Sequence, residues 1–309
     1  VRVVNYKINK CPFTFYLQAS GRLENESCSR IIPMSFHFDY LAVLEGVIVC
    51  GIFGWLSLRM RMVDKSGLVA GFLIGSSVFI FPKDGWKWFT VILVFHLVAA
   101  QFTKYKYEAK RRRGFAQEKG GARAWQNVFA NGGVAALLAI GEGLFASDVF
   151  LAGFIGAVGT ATADTLATEI GLLYPRDPRS IADLRKKVPP GTSGGVSPLG
   201  EFATLLGSFI IGLVAWLLGI GASPEWNFMR VMAIALISGF LGCTVDSMIG
   251  ATVQGMFRCS ICNKITESKK HCGGPSIYIS GCRAIDNNVV NFISTGIGAL
   301  IAVLVCLFL

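Results

Sequence analysis

Asp164 and Asp246 stand in stretches otherwise apolar enough to lie in lipid, GTATADTLATEIG over residues 159–171 and GFLGCTVDSMIG over 239–250. A carboxylate at that depth is costly, so it faces a bundle interior, a partner or a wet cavity. At about 100° per residue, Asp164 shares a helix face with Thr160, Ala167, Thr168 and Gly171, while Glu169 is turned away with Thr162 and Thr165. Two acids on small-residue faces that can converge form a minimal hard-oxygen site for Mg²⁺ or Mn²⁺, completed by substrate phosphates and water. The same pair could carry protons or cations in a transporter. A Gly/Ala/Thr helix-packing seam with one satisfied polar residue accounts for Asp164 without any ligand. Both stretches carry Gly-Phe-Ile/Leu-Gly and then Thr-x-Asp-Ser/Thr, with Asp164 eight residues after Gly156 and Asp246 four after Gly242. That offset is about one helical turn, which fits a weak internal repeat of the two Asp-bearing helices.

Between these acids the chain reads RKKVPPGTSGGVSPLGE, residues 185–201. Lys186 and Lys187 lead into a Pro-Pro stop. Gly191, Gly194 and Gly195 then alternate with the hydroxyls of Thr192, Ser193 and Ser197. Glycines allow successive backbone N–H groups to turn inward as an anion-binding nest. Ser197 followed by Pro198 is a good N-cap and first-turn pair, and a helix N-terminus aimed at the nest favours phosphate. The P-loop spacing is absent, and a glycine-rich helix connector is the plain alternative. Asn131, with Gln126 and Asn127, opens one apolar span, and Asn288 and Asn291 open another, where amides can bond phosphate, ribose or base edges or simply cap and join helices. Glu142 is solitary and reads as a bundle contact.

Of nine cysteines, three concentrate with a histidine in one loop: Cys259-Ser-Ile-Cys262 with His271-Cys272 nine residues on. Thiolate and imidazole at that spacing can close a structural tetrahedral Zn²⁺ site, with Cys282 able to replace His271. A reduced dithiol or a disulfide remains open for the same residues. The other histidines, His37 and His96, are isolated.

The elements that must position these groups are membrane helices. The chain has 309 residues, 53% hydrophobic and 16% charged, with a mean hydropathy of +0.55. The fold class expected is all-α, a polytopic membrane protein of about eight spans: 40–58, 67–82, 88–102, 127–145, 149–173, 199–220, 229–255 and 288–309. The span over 67–82 is short for a bilayer core of about 30 Å. The expected organisation is a poorly ordered N-terminal extension over 1–39 and an integral membrane domain over 40–309. Basic loops occupy 59–66, 103–126, 174–198 and 256–287.

Net charge is +10, and 21 of the 29 Lys and Arg fall in those four loops, against Lys83, Lys87 and Arg230 in the opposite three. The positive-inside rule makes the basic loops cytoplasmic, and a prokaryotic plasma membrane is the expected location. Topology and contact with anionic headgroups explain this charge without a substrate. Phosphate-bearing substrates are the sharper reading. No soluble domain is apparent, which argues against nucleic acid as a partner, and the sequence leaves the oligomeric state open.

ATADTLATEIG, VPPGTSGGVSPLGE, VDSMIGATVQG, DNNVVN and QNVFANGG together resemble, in order over about residues 40 to 305, the motifs of a known family. It contains plant chloroplast phytyl-phosphate kinase and animal transmembrane protein nineteen, and the Cys/His loop resembles the form in its prokaryotic members. The resemblance implies phosphoryl transfer from a nucleoside triphosphate, ATP or CTP, to an isoprenyl monophosphate. Asp164, Ala167 and Gly171 are also similar to a motif of polyprenol kinases and lipid cytidylyltransferases. On that implication Asp164 and Asp246 hold Mg²⁺ between donor and acceptor phosphates. Lys186, Lys187 and the 191–195 backbone bind phosphate oxygens, with Lys104 a further candidate. Asn131, Asn288 and Asn291 then orient nucleotide or lipid phosphate, and the isoprenoid tail lies along the Gly/Ala face of the fifth or seventh span. A lipid nucleotidyltransferase or a cation- or proton-coupled transporter are the alternatives.

Overall fold

The computed structural model describes residues 40–113, 118–221, 224–263 and 265–309; the expected extension over 1–39 lies outside them. Eight apolar helices occupy the eight expected stretches: α1 (Tyr40–Arg59), α2 (Lys65–Ile80), α3 (Gly85–Lys104), α5 (Trp125–Phe145), α6 (Asp148–Gly171), α7 (Pro198–Leu217), α8 (Phe228–Thr252) and α9 (Asn287–Phe308). A six-residue helix, α4 (Tyr107–Arg112), lies in the loop between α3 and α5. Seven of the eight are long and apolar enough to cross a bilayer. The 16 residues of α2 rise only about 24 Å at 1.5 Å per residue, short of the hydrocarbon core. The chain is a multi-pass membrane protein.

Helix boundaries follow local chemistry. Asp64 accepts from the N–H groups of Ser66 and Gly67 to start α2. Ser197 accepts from Gly200 N–H, with Pro198 in the first turn of α7. Asn227 and Asp286 do the same for α8 and α9. Each satisfies N–H donors that a helix start leaves without an intrahelical partner.

α6 is the centre of the bundle. Its best membrane-spanning window is 83% buried, against 11% for α1, because Gly, Ala and Thr surround it on all sides and let neighbours approach closely. It packs against α7, α8, α9, α5 and α3. Thr160 shows how tight this is. A Cβ on Gly242 of α8 would lie 2.3 Å from Thr160 Oγ1, and one on Gly298 of α9 would lie 2.0 Å from it. Only glycine fits on either side, and Thr160 Oγ1 donates to the Ser238 carbonyl at 3.2 Å. The small faces of α6 and α8 are therefore closed by helices, which corrects the expectation that an isoprenoid tail lies along them. The two echoing stretches are also used differently: Gly156 meets Gly298 and Ala302 of α9, whereas Gly242 meets Thr160 of α6.

Two basic loops fold into small sheets that the sequence reading did not anticipate. β1 (Arg179–Ser180), β2 (Asp183–Lys187) and β3 (Gly195–Val196) pair antiparallel in the order β2-β1-β3. β4 (Met256–Cys259), β5 (Ile265–Thr266), β6 (Lys270–His271) and β7 (Gly274–Ser280) form a second sheet in the order β5-β4-β7-β6. Several of these strands are two residues long, too short for alternation to register in a sequence. The fold is thus all-α in the membrane, with two small sheets on the side of the basic loops.

Candidate functional site

α7 returns between α6 and α8, so α6 and α8 cross in the same direction. Thr160 sits against Gly242, and one turn further along each helix stand Asp164 and Asp246, within electrostatic range of one another. Asp164 is half-buried and Asp246 is buried. Asp246 Oδ2 accepts from Ser294 Oγ of α9 at 2.8 Å. One turn before Ser294, Asn291 Nδ2 reaches Asn131 Oδ1 of α5 at 3.4 Å, and Asn131 Nδ2 donates to the Asn127 carbonyl at 2.9 Å. Asn291 Oδ1 is buried and accepts no hydrogen bond among the described residues. Two carboxylates and an orphaned amide oxygen make an all-oxygen donor set, and that chemistry suits a hard cation such as Mg²⁺.

The glycine-rich loop lies on the last turns of α8, directly after Asp246. Ser193 Oγ donates to Gln254 Oε1 at 2.8 Å. Gly194 has φ of +69°, and a Cβ there would lie 2.4 Å from Ala251 Cβ and 2.5 Å from the Ser247 carbonyl. The loop uses the Thr192 and Gly195 N–H groups for its own turns, on Pro189 O and Thr192 O. Gly191 also has positive φ. Ser197 is buried as the cap of α7. Lys186 and Lys187 are exposed along β2. Lys104 Nζ donates to the Met60 carbonyl at the end of α1, and Asn288 is half-buried in the first turn of α9. Asp164, Asp246, Asn131, Asn291, Ser193 and Gly194 are thus gathered at the basic-loop end. Lys104 is engaged elsewhere.

Three charged residues that the sequence reading did not single out belong to this end. Lys110, in the KRRR run, is buried; its Nζ reaches Glu169 Oε2 at 2.5 Å and the carbonyls of Phe102 and Thr103 at 2.8 and 3.2 Å. Arg123 donates to Asn127 Oδ1 at 2.6 Å and Thr103 Oγ1 at 3.4 Å. Burial pulls the Arg123 pKa down, opposed by the charges of Glu169 and Asp164. Glu267, between β5 and β6, is pushed up by burial, while Gln254 and Ser193 favour its ionised form. One signal for Arg123 was available: it is the last cation before QNVFANGG.

The second sheet brings four metal-competent groups together. Ligand atoms of Cys259, Cys262, His271 and Cys272 all lie within 4.8 Å of one another. Cys259 and Cys262 flank the turn after β4, and His271 and Cys272 the turn after β6. Asn263 and Cys272 take left-handed conformations there. The N–H groups of Ile261 and Cys262 point at Cys259 Sγ at 3.4 Å. The Cys262 N–H bond heads the influences that lower the Cys259 thiol to about 6. Three sulfurs and one imidazole at this spacing fit Zn²⁺. Cys282 pairs instead opposite Gln254, outside the cluster.

The family described as "Integral membrane protein DUF92" matches residues 48–299. The chain belongs to this integral membrane family. Protein PGR of Arabidopsis thaliana is 29% identical over 272 residues, covering 82% of this chain and 92% of that protein. Protein VTE6, chloroplastic, of the same plant is 28% identical over 257 residues, covering 82% and 68%. An uncharacterised membrane protein of Synechocystis is 30% identical over 288 residues, covering 91% and 96%. No solved structure matches the chain significantly.

For this DUF92 protein the matched range contains Asp164, Asp246, the 185–201 loop, Arg123 and the Cys/His cluster. It is the family that the motifs resembled at the outset.

Proposed function

We propose that this protein is a membrane kinase that transfers a phosphoryl group from ATP or CTP to an isoprenyl monophosphate. The observation that carries the reading is the Asp164–Asp246 pair, within electrostatic range of each other one turn beyond the Thr160–Gly242 contact. The family resemblance to phytyl-phosphate kinase supplies the substrate class. With the basic loops cytoplasmic, in a prokaryotic plasma membrane, the pair faces the compartment that holds nucleoside triphosphates.

In the transfer, an oxygen of the isoprenyl phosphate attacks the γ-phosphorus, and the bond from that phosphorus to the β–γ bridging oxygen breaks. The nucleoside diphosphate leaves, and the lipid becomes a diphosphate. Such transfer needs positioning and charge neutralisation rather than a covalent nucleophile. Mg²⁺ or Mn²⁺, when held by Asp164, Asp246 and Asn291 Oδ1, supplies neutralisation of the phosphate oxygens. Ser294 fixes the Asp246 rotamer. Arg123 and Asn131 present donors to the acceptor phosphate. Lys186 and Lys187, with the Gly191–Gly195 backbone and Asn288, serve the nucleotide. The Cys259, Cys262, His271 and Cys272 cluster holds a structural Zn²⁺ that shapes the hairpin carrying Glu267.

The test is incubation of the purified protein in nanodiscs with γ-labelled ATP or CTP, Mg²⁺ and isoprenyl monophosphates. Label in a lipid diphosphate supports the kinase. Appearance of an unlabelled nucleotidyl lipid, with the label released as pyrophosphate, instead identifies a nucleotidyltransferase. Absence of any labelled lipid, together with ion flux that is lost in Asp164→Asn, overturns the reading in favour of a transporter.

A further inference from the structure

Between α1, α2, α3 and α5 lies a cavity of about 120 Å³ whose walls are mostly apolar. One water needs roughly 10–15 Å³ on this measure, so the space exceeds a packing defect by about tenfold. α2 contributes Gly67, Gly71 and Gly75 to the wall, spaced one turn apart along about 12 Å of helix. The deep end, near Cys50, Gly75 and Phe89, carries no charged group among the described residues.

The other end is polar. Arg123, Asn127 and Asn131 line it, and Ser57 and His96 are hydrogen-bonded to each other at 2.9 Å. The two Arg123 side-chain hydrogen bonds go to neutral oxygens. Among the described residues its guanidinium pairs with no carboxylate at ion-pair distance, although Glu169 and Asp164 act on it from further off. A guanidinium in that state can bind a phosphate through paired N–H donors. Asn131 belongs both to the cavity and to the hydrogen-bonded chain leading through Asn291 and Ser294 to Asp246, so one polar chain links the cavity wall to the acid site.

We propose that this cavity holds the first isoprene units of the lipid substrate, with Arg123 binding its phosphate at the mouth. The occupant is an aliphatic chain that ends in an anion, because an uncharged lipid leaves Arg123 unused and a free phosphate leaves the cavity empty. This rests on the reading of the site as acting on a lipid phosphate, and it names where that lipid lies. The small-residue faces of α6 and α8 are instead closed by neighbouring helices.

Gly71 supplies the test. A Cβ there would meet only Val128 Cγ1, at 4.0 Å, so a larger side chain enters the cavity rather than the backbone of a neighbour. Equilibrium binding of tritiated five-carbon and twenty-carbon isoprenyl monophosphates is measured on wild type, Gly71→Leu and Arg123→Gln in nanodiscs. A side chain that fills the space leaves none for the distal part of a long chain. Gly71→Leu should therefore weaken the long-chain ligand about tenfold or more relative to the short one. Arg123→Gln should weaken both alike. Equal effects of Gly71→Leu on both chains, or none, overturn the tail site, and unchanged binding in Arg123→Gln overturns the headgroup assignment.

A second measurement needs no variant. A twenty-carbon isoprenyl monophosphate bearing a diazirine at a mid-chain carbon is photolysed on the wild-type protein and its adducts are mapped. Adducts on α2 between Gly67 and Gly75, or on α5 near Asn131, support the cavity, and adducts confined to α6, α8 or lipid-facing residues overturn it. Both readouts are independent of phosphoryl transfer. Selective loss of long-chain binding in Gly71→Leu would stand even without kinase activity. Kinase activity with an unchanged chain-length profile in that variant would remove the cavity and leave the kinase reading intact.

Discussion

Lys110 Nζ lies 2.5 Å from Glu169 Oε2, with the two side chains 1% and 3% exposed. Lys110 also holds the last carbonyls of α3, so one ammonium ties the α3–α5 loop to α3 and to the end of α6. Removing one member of a buried pair leaves the other charge without compensation, at a cost of about 3–5 kcal/mol. Lys110→Met should therefore lower thermal stability in detergent sharply, and Lys110→Met with Glu169→Leu should recover much of the loss. A single variant that melts like wild type would contradict this.

Asp164→Asn and Asp246→Asn should each cut phosphoryl transfer about a hundredfold or more, the scale of several kcal/mol of charge stabilisation. Ser294→Ala should cost far less, because it removes one hydrogen bond worth about 1 kcal/mol. Rates are read from labelled lipid diphosphate, with elution on a sizing column as the check on folding. Full activity in both Asp variants would discard the metal assignment.

Gly194→Ala places a side chain at φ of +69° and pushes its Cβ to 2.4 Å from Ala251 Cβ. Left-handed backbone alone costs an L-residue roughly 1–2 kcal/mol, and the loop must also lift from α8. Nucleotide affinity should fall while the membrane helices remain folded, as measured by nucleotide titration and circular dichroism. Unaltered affinity would detach this loop from nucleotide binding.

Protein purified under reducing conditions should carry about one zinc per chain, and Cys259→Ser or Cys262→Ser should lose it. Elemental analysis measures the content. Chelation should expose the hairpin between β4 and β7 to protease, because metal binding and local folding are coupled. Wild-type protein without zinc, and with the hairpin equally resistant before and after chelation, would remove the metal.

The eight helices and their ends were legible from apolar runs of membrane length and from capping residues such as Ser197-Pro198 and Asp286, because lipid burial and N-cap chemistry act locally. Asp164 and Asp246 stood out for the same reason, since a carboxylate in an apolar run is conspicuous. So did the Cys259–Cys272 spacing, which the second sheet gathers into one cluster. The β strands gave no signal, four of them being two residues long.

Pairing depended on the tertiary structure. In the sequence Lys110 is one cation in KRRR, and nothing there separates it from Arg111; its burial is set by the turn that directs α4 against α6. Arg123 looked like loop charge, and only the packing of α1, α2 and α3 around it gives it an apolar cavity to guard. Whether a helix or a void faces the glycines of α2 depends on which neighbours arrive. The sequence by itself determined the lipid-spanning elements and the unusual acids, through chemistry local to each segment. Which charge is paired, which face is closed and which is hollow depended on contacts between residues tens to more than a hundred positions apart, and only the tertiary structure decided them.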